Sequence, residues 1–424
     1  MRIYADFHIH SRYSRATSKE MSVQNLAYWA ERKGLNLLGT GDFTHPIWLR
    51  ELKATLKPSE FEGFYSYGST FFILTAEINT IFEREGRIHR IHHLILAPDF
   101  EAVESLNAIL SERGELSADG RPSLHMTPAE LVDSVLEVGN DLEVIPAHIW
   151  TPWFSLFGST SGFDSVEEAF EDASIHIHAL ETGLSSDPSM NWRLSSLDKY
   201  TLVSSSDAHS PWSWRIGREL NVFDLSEPSY KAILRAIRSK SPSEFLFTVE
   251  TNPAYGKYHY DGHSRCGVRL HPKEAMKLGN RCPVCGKRLT IGVLHRVEEL
   301  ADRPEGYVPA GALPYKDLLP LYEIISFSLG SGEKYSKRML NVYNDLINRF
   351  GNELKILLEV PSNEISAAAG ENIANSILLI REGRVEIEPG YDGVYGRPIF
   401  FATTEGKDDS NKRRTDGLEG YLKS

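Results

Sequence analysis

Short apolar runs recur through the first 210 positions, separated by segments whose apolar residues return every three to four positions. The runs predict strands at 2–7, 36–41, 71–77, 92–97, 143–147, 177–181 and 201–206. The segments between them predict amphipathic helices, including 23–33, 128–138 and 166–173. Seven such units imply parallel strands joined by crossovers, and so an α/β fold with a (β/α) barrel of about seven strands. An open doubly wound sheet is the alternative.

Near residue 226 the pattern changes. A helix around 230–239 leads through SKSPSEF into a short apolar strand, FLFTV, and then into a compact Cys/His segment at 254–296. A Pro/Gly-rich stretch at 304–320 precedes helical patterns within 334–380, and the end from about residue 403 is polar and charged. The expected division is a catalytic barrel at 1–240, a metal-binding module at 241–303, a mostly helical region at 304–402 and a flexible tail at 403–424.

Composition narrows the class. Of 424 residues, 41% are hydrophobic and 25% charged, as in a soluble globular protein, and no run of about 18 apolar residues suggests a membrane span. The opening MRIYADFHIH has neither region of a signal peptide, and three late cysteines suit a reducing compartment, so a cytoplasmic, nucleoid-associated protein is expected. A net charge of −12 argues against nucleic-acid affinity of the whole surface. Locally the balance reverses: between Lys257 and Arg296 nine Lys or Arg stand against two acids.

Histidines and carboxylates gather at the ends of the expected strands. Asp6, His8 and His10 end the first, Asp42 follows the second, and Glu77 ends the third. His93 lies at the fourth, His148 ends the fifth, and Asp207 and His209 follow the last. In a barrel these strand ends converge on one rim, where active sites form. Mixed His/carboxylate ligation suits Zn²⁺, Mn²⁺ or Fe²⁺ better than Mg²⁺ or Ca²⁺.

The series HxH, Asp, Glu, His, His and a final SSDAH resembles the polymerase-and-histidinol-phosphatase (PHP) superfamily over about residues 1–215. The resemblance implies a distorted (β/α)7 barrel that hydrolyses phosphoesters at a multinuclear site. It implies His8, His10, Glu77, His93, His148, Asp207 and His209 as ligands. The sequence departs from the family at Phe43, where a histidine usually follows the aspartate, and His45 could substitute. Asp6, Asp42, His45 and Glu181 are the candidates for proton transfer.

A second set, His263-x2-Cys266-x15-Cys282-Pro-Val-Cys285-Gly, has zinc-ribbon spacing. His263 is the expected fourth ligand, with His271, His259 and His295 as alternatives. Barrel, Cys/His module and helical region together resemble the endonuclease Q family, on segments such as YHYDGHSRCGV and CPVCGKRLTIGVLHRVEELADR. This implies a zinc-dependent DNA-repair endonuclease, with Mg²⁺ or Mn²⁺ as further metals. It would cut on the 5′ side of uracil, hypoxanthine, xanthine and abasic sites. A small-molecule phosphatase is the alternative.

An aromatic loop follows His148. Its Trp150, Trp153, Phe154 and Phe157, with the basic Lys257, Arg265, Arg269, Lys287 and Arg288, are the expected DNA-facing residues. The tail segment Thr415–Leu422 resembles a sliding-clamp-binding peptide, which would make a clamp a second partner.

Overall fold

The computed structural model describes residues 1–160, 162–329 and 336–399. Seven strands form the barrel: β1 (Arg2–Asp6), β2 (Leu37–Gly39), β3 (Thr70–Arg84), β4 (Arg87–Ala97), β5 (Glu143–Pro146), β6 (Ala179–Glu181) and β7 (Thr201–Val203). β1, β2 and β3 pair in parallel, as do β6 and β7. Backbone bonds at one rim close the ring. Ile149 N donates to Glu181 O at 3.1 Å, and His10 N to Ala208 O at 3.0 Å. Ala5, Leu37, Ile73, Leu94, Ile145, Ala179 and Val203, one from each strand, share a single apolar cluster. Ile233 and Ile237 of the helix Tyr230–Ser239 join that cluster and plug the barrel.

One expectation about direction fails. β4 runs antiparallel to both β3 and β5, so the strands are not all parallel. The cause is local: β3 and β4 are separated by Glu85-Gly86 alone, both with positive φ (52° and 74°). That is the two-residue turn of a hairpin, and two residues cannot make a crossover. The sheet also continues outward from β1. β8 (Leu220–Asp224) pairs antiparallel with β1, β9 (Phe245–Glu250) with β8, and β10 (Tyr315–Asp317) lies parallel to β9.

Helices cover the outside. α1 (Val23–Lys33) starts at Ser22, which accepts from Asn25 N, and ends at Gly34 with φ 98°. α2 (Pro46–Thr55), α3 (Phe100–Leu110) and α4 (Pro128–Val138) follow. The Cys/His module reaches its helix α5 (Val293–Leu300), whose Glu298 takes a two-pronged bond from Arg193 at 2.6 and 2.9 Å. The C-terminal helices are α6 (Leu321–Ser328), α7 (Lys337–Phe350), α8 (Glu353–Leu358), α9 (Ser362–Ala369) and α10 (Glu371–Arg381). A buried ion pair, Lys33 Nζ to Glu353 Oε1 at 2.7 Å, ties them to α1. The tail segment Thr415–Leu422 lies outside the described residues.

No helix among the described residues is long and apolar enough to cross a membrane.

Candidate metal centre

Glu77 lies mid-way along β3, and its buried carboxylate faces two groups of histidines. Oε1 stands 2.6 Å from His92 Nδ1 and 3.1 Å from His148 Nε2. Oε2 stands 3.2 Å from His10 Nε2 and 3.5 Å from His8 Nε2. Asp207 Oδ1 approaches the same pair, 3.0 Å from His10 Nε2 and 3.7 Å from His8 Nε2. Two candidate ligand sets thus share Glu77: His8, His10, Glu77 and Asp207, and Glu77, His92 and His148. Within each set the ligand atoms lie no more than 4.8 Å apart. His8 Nε2 is buried without a hydrogen-bond partner, the mark of a group awaiting an ion or water. Nitrogen and carboxylate donors converging in this way fit divalent ions of the zinc type.

The far side of each imidazole is held. His8 donates Nδ1–H to Glu181 at 3.0 Å, and His10 donates to Asp42 at 3.0 Å. Asp42 in turn accepts from Ser11 N and Ser11 Oγ, both at 2.6 Å, and from Ser14 Oγ at 2.9 Å. These bonds select the tautomer that leaves Nε2 facing the cluster. Burial alone would lower both histidines, but the Glu181 and Glu77 carboxylates beside His8, and Asp42 beside His10, outweigh it and raise both well above the ordinary range. Burial also opposes charge on Glu77, yet His92, His8 and Arg121 hold it well below the usual carboxylate range.

Three cluster residues have left-handed backbone: Asp42, His148 and Asp207, with φ of 50°, 32° and 46°. Such conformations are uncommon in non-glycine residues and collect at functional sites. Gly183 accommodates the one at His148, since a Cβ there would lie 2.5 Å from His148 Cβ.

His8, His10, Glu77, His148 and Asp207, expected as ligands, come together here. His93 does not. The β3–β4 register sets Leu94 opposite Glu77 and His93 opposite Ile78, so alternation turns His93 to the other face. There its ring packs 5.6 Å from Phe170, its Nε2 lies 3.0 Å from Thr80 Oγ1, and burial pushes it down to about 3. His92 occupies the place expected for His93. His209 stands at the rim, its ring 4.5 Å from that of His10 and its Nδ1 donating to Asp207 O at 2.8 Å, outside both sets.

Two of the four candidates for proton transfer belong to the scaffold. Asp6 accepts from Ser206 N (3.0 Å), Ser206 Oγ (2.6 Å) and Gly217 N (2.7 Å), fastening the segment that carries Asp207 to β1. His45 caps α2 by accepting from Trp48 N at 3.4 Å and stacks on Tyr13. Asp42 and Glu181 stand behind His10 and His8, orienting them. Sequence reasoning missed two members of the site, His92 and Arg121; the guanidinium of Arg121 meets Glu77 Oε2 at 3.1 Å. The HisHis pair at 92–93 flagged the position without telling which face was inward, and no motif marks Arg121.

The second set also assembles: one ligand atom each from His263, Cys266, Cys282 and Cys285 lies within 4.8 Å of the others. Cys282 N donates to Lys287 O and Gly286 N to Cys282 O, both at 2.8 Å, which forms the knuckle. The backbone amide of Lys287 holds the Cys285 thiol below its ordinary range. Of the alternatives, His271 caps a helix and His295 bonds to Asp261.

Residues 320–384 match the family model described as the MJ0043 C-terminal domain. The chain is 32% identical over 275 residues to an uncharacterized protein, MJ0043, of Methanocaldococcus jannaschii, covering 62% of this chain and 34% of that one. It therefore spans about a third of that relative's length. It is 29% identical over 409 residues to uncharacterized YqxK of Bacillus subtilis, covering 93% and 99%. The crystal structure of PfuEndoQ, a lesion-specific endonuclease from Pyrococcus furiosus, superposes with a TM-score of 0.85 at 35% identity, covering 94% of this chain and 95% of that one. The chain belongs to the endonuclease Q family. A second endonuclease Q structure, a complex with a 27-mer duplex bearing an abasic lesion at its active site, matches with a TM-score of 0.83 at 34% identity over 95% of this chain and 97% of that one.

Around the centre this member of the endonuclease Q family presents two adjoining hollows. A cleft of about 500 Å³ is bordered by Ser18, Leu184, Asp207, His209, Arg215 and Arg218. The same two arginines border a second hollow of about 200 Å³, lined by Trp214, Tyr255, Tyr322, Phe327 and Tyr395. The aromatic loop divides. Trp150 and Phe157 belong to the core, Trp150 donating to Asn191 Oδ1 at 2.8 Å, because the loop folds back over the barrel. Trp153 and Phe154 are 51% and 40% exposed, and Phe154 lies 5.2 Å from the His92 ring. Lys257, Arg265, Lys287 and Arg288 are exposed, whereas Arg269 pairs with Glu388 at 2.9 Å and covers Tyr391.

Proposed function

We propose that this endonuclease Q family member is a metal-dependent repair enzyme that hydrolyses the phosphodiester on the 5′ side of deaminated bases and abasic sites in DNA. The observation that carries the reading is the pair of ligand sets sharing Glu77, set beside a cleft that runs past Arg215 and Arg218 into an aromatic hollow. Zinc is the ion this donor set suits: His8, His10, Glu77 and Asp207 would hold one, and Glu77, His92 and His148 another. Bound there, the ions would polarise a phosphoryl oxygen and supply a nucleophilic water at neutral pH.

The chain's own residues do the rest. Glu181 and Asp42 keep the imidazoles aligned. Arg218, fixed by Glu323 at 3.3 Å, offers charge to the DNA backbone beside the cleft. A nucleotide turned out of the duplex would enter the hollow and stack against Trp214, Tyr322 or Tyr395. Uracil, hypoxanthine and xanthine each carry a carbonyl where the parent base has an amine. An N–H donor set opposite C4 of a pyrimidine or C6 of a purine would pair with uracil and hypoxanthine and be left unpaired by cytosine and adenine. A zinc ion on His263, Cys266, Cys282 and Cys285 would hold the basic module rigid, with Lys257, Arg265, Lys287 and Arg288 toward the DNA.

The relatives support the reading, since one is a lesion-specific endonuclease and another binds a lesion-bearing duplex at its active site. The test uses end-labelled duplex with a single uracil, incubated with and without chelator. A nick beside the uracil that vanishes with chelator is expected; no metal-dependent nick overturns the proposal. Equal cutting of uracil and cytosine duplexes would remove the carbonyl-reading pocket and, with it, the preference for deaminated bases.

A further inference from the structure

Asp119-Gly120-Arg121 is threaded into the rim with unusual closeness. Gly120 N donates to Tyr13 O at 3.1 Å, Thr44 Oγ1 donates to Gly120 O at 3.3 Å, and Arg121 N donates to Asp119 Oδ1 at 3.2 Å. Gly120 passes so near the support behind His10 that a Cβ there would lie 2.3 Å from Asp42 Oδ2 and 2.4 Å from Ser14 Oγ. The loop gives up a side chain at 120 and delivers the next one to the shared carboxylate. Arg121 reaches Glu77 Oε2 at 3.1 Å, with its side chain 25% exposed.

We propose that Arg121 is a catalytic residue that grips a non-bridging oxygen of the scissile phosphate. The inference rests on the phosphodiesterase reading above. Glu77 Oε2 is also the oxygen that faces His8 and His10, so a divalent ion in that set would neutralise the charge Arg121 now balances. The guanidinium, positioned by a clamped backbone, then faces the rim with charge to spare where the phosphate must arrive. Its planar fork matches two phosphate oxygens, and a preorganised donor aimed at oxygens that gain charge in the transition state lowers the barrier. Arg121 makes and breaks no covalent bond in this role and keeps all its protons.

The test compares metal-loaded wild type with R121A and R121K, using inorganic phosphate as the probe in calorimetry, metal content by mass spectrometry, and nicking of the uracil duplex. For R121A, unchanged metal content is expected, with phosphate affinity reduced about tenfold and kcat reduced roughly 10²–10³-fold. R121K should regain part of the phosphate affinity. Unchanged phosphate affinity in R121A overturns the proposal. So does a loss of metal with normal phosphate binding to the sites still loaded, which would make Arg121 a mere counter-charge for Glu77. A wild type that binds phosphate through Arg121 yet leaves lesion DNA intact upholds this role and overturns the repair function instead.

Discussion

Adjacent histidines on β4 have opposite fates, and substitution separates them. His92→Ala removes a ligand from the set at Glu77 Oε1 and is expected to lower metal content and cut nicking more than about 100-fold, the scale of removing one essential electrostatic group. His93→Ala should keep near-normal kcat while costing about 1–3 kcal/mol in denaturant unfolding, because its ring packs against Phe170 and bonds to Thr80 on the face away from Glu77. Behind the ligands, Glu181→Gln leaves His8 without its anionic partner, and metal affinity in a competition titration should fall about 10–100-fold. Most of this centre was legible from residue types at strand ends. What a single sequence lacks is register: β4 alternates in either phase until pairing with β3 sets one. Arg121 was illegible for a different reason, since it comes from a loop whose approach depends on the packing of Gly120 against Asp42.

Among the elements, β8 and β9 carry an unusual burden. Glu250 on β9 and Glu219 just before β8 are fully buried, and Ser204 Oγ lies 2.9 and 3.2 Å from their respective carboxylates. Burial raises both, Glu250 to about 8, with Glu219 raised further by the charge of Glu250. A carboxyl that prefers to be neutral when folded contributes its full stability below the unfolded value near 4.5 and loses it as pH rises through about 8. Glu250→Gln mimics the neutral form. Its Tm relative to wild type should therefore climb between pH 5 and pH 8, by on the order of 5 °C; a flat difference would show that the pair shares no such proton. The turn at Glu85-Gly86 was legible in principle, because EREGR between two apolar runs is a hairpin signal. Reading seven equal strand–helix units passed over it.

For the molecule as a whole, the joint between barrel and C-terminal helices is polar and buried. Glu353 accepts from Lys33 at 2.7 Å, from Leu321 N at 2.9 Å and from Tyr343 Oη at 3.2 Å, and Tyr343 Oη also lies 2.7 Å from the Ser213 hydroxyl, from which it can accept. Removing one partner strands the others, so Glu353→Ala should cost about 3–5 kcal/mol of unfolding free energy. Lys33→Met with Glu353→Leu should recover only the part of that loss due to the stranded Lys33 charge, since Leu321 N still lacks its acceptor. Changes of pattern near residues 226 and 304 were visible in the sequence. The joint was not, because its partners are separated by 320 residues and neither looks buried by type.

Glu77 has a consequence for how the enzyme would be switched on by metal supply. One carboxylate lends an oxygen to each set, so filling the first position orients the ligand that the second needs. Occupancy should then be cooperative, with few half-loaded molecules and a sigmoidal rise of activity with free metal. A titration of metal-stripped protein should give a Hill coefficient above 1, falling to about 1 in Glu77→Gln among whatever sites still bind. Such an enzyme would respond to metal scarcity as a threshold: a population divided between competent and inert molecules instead of one uniformly slowed.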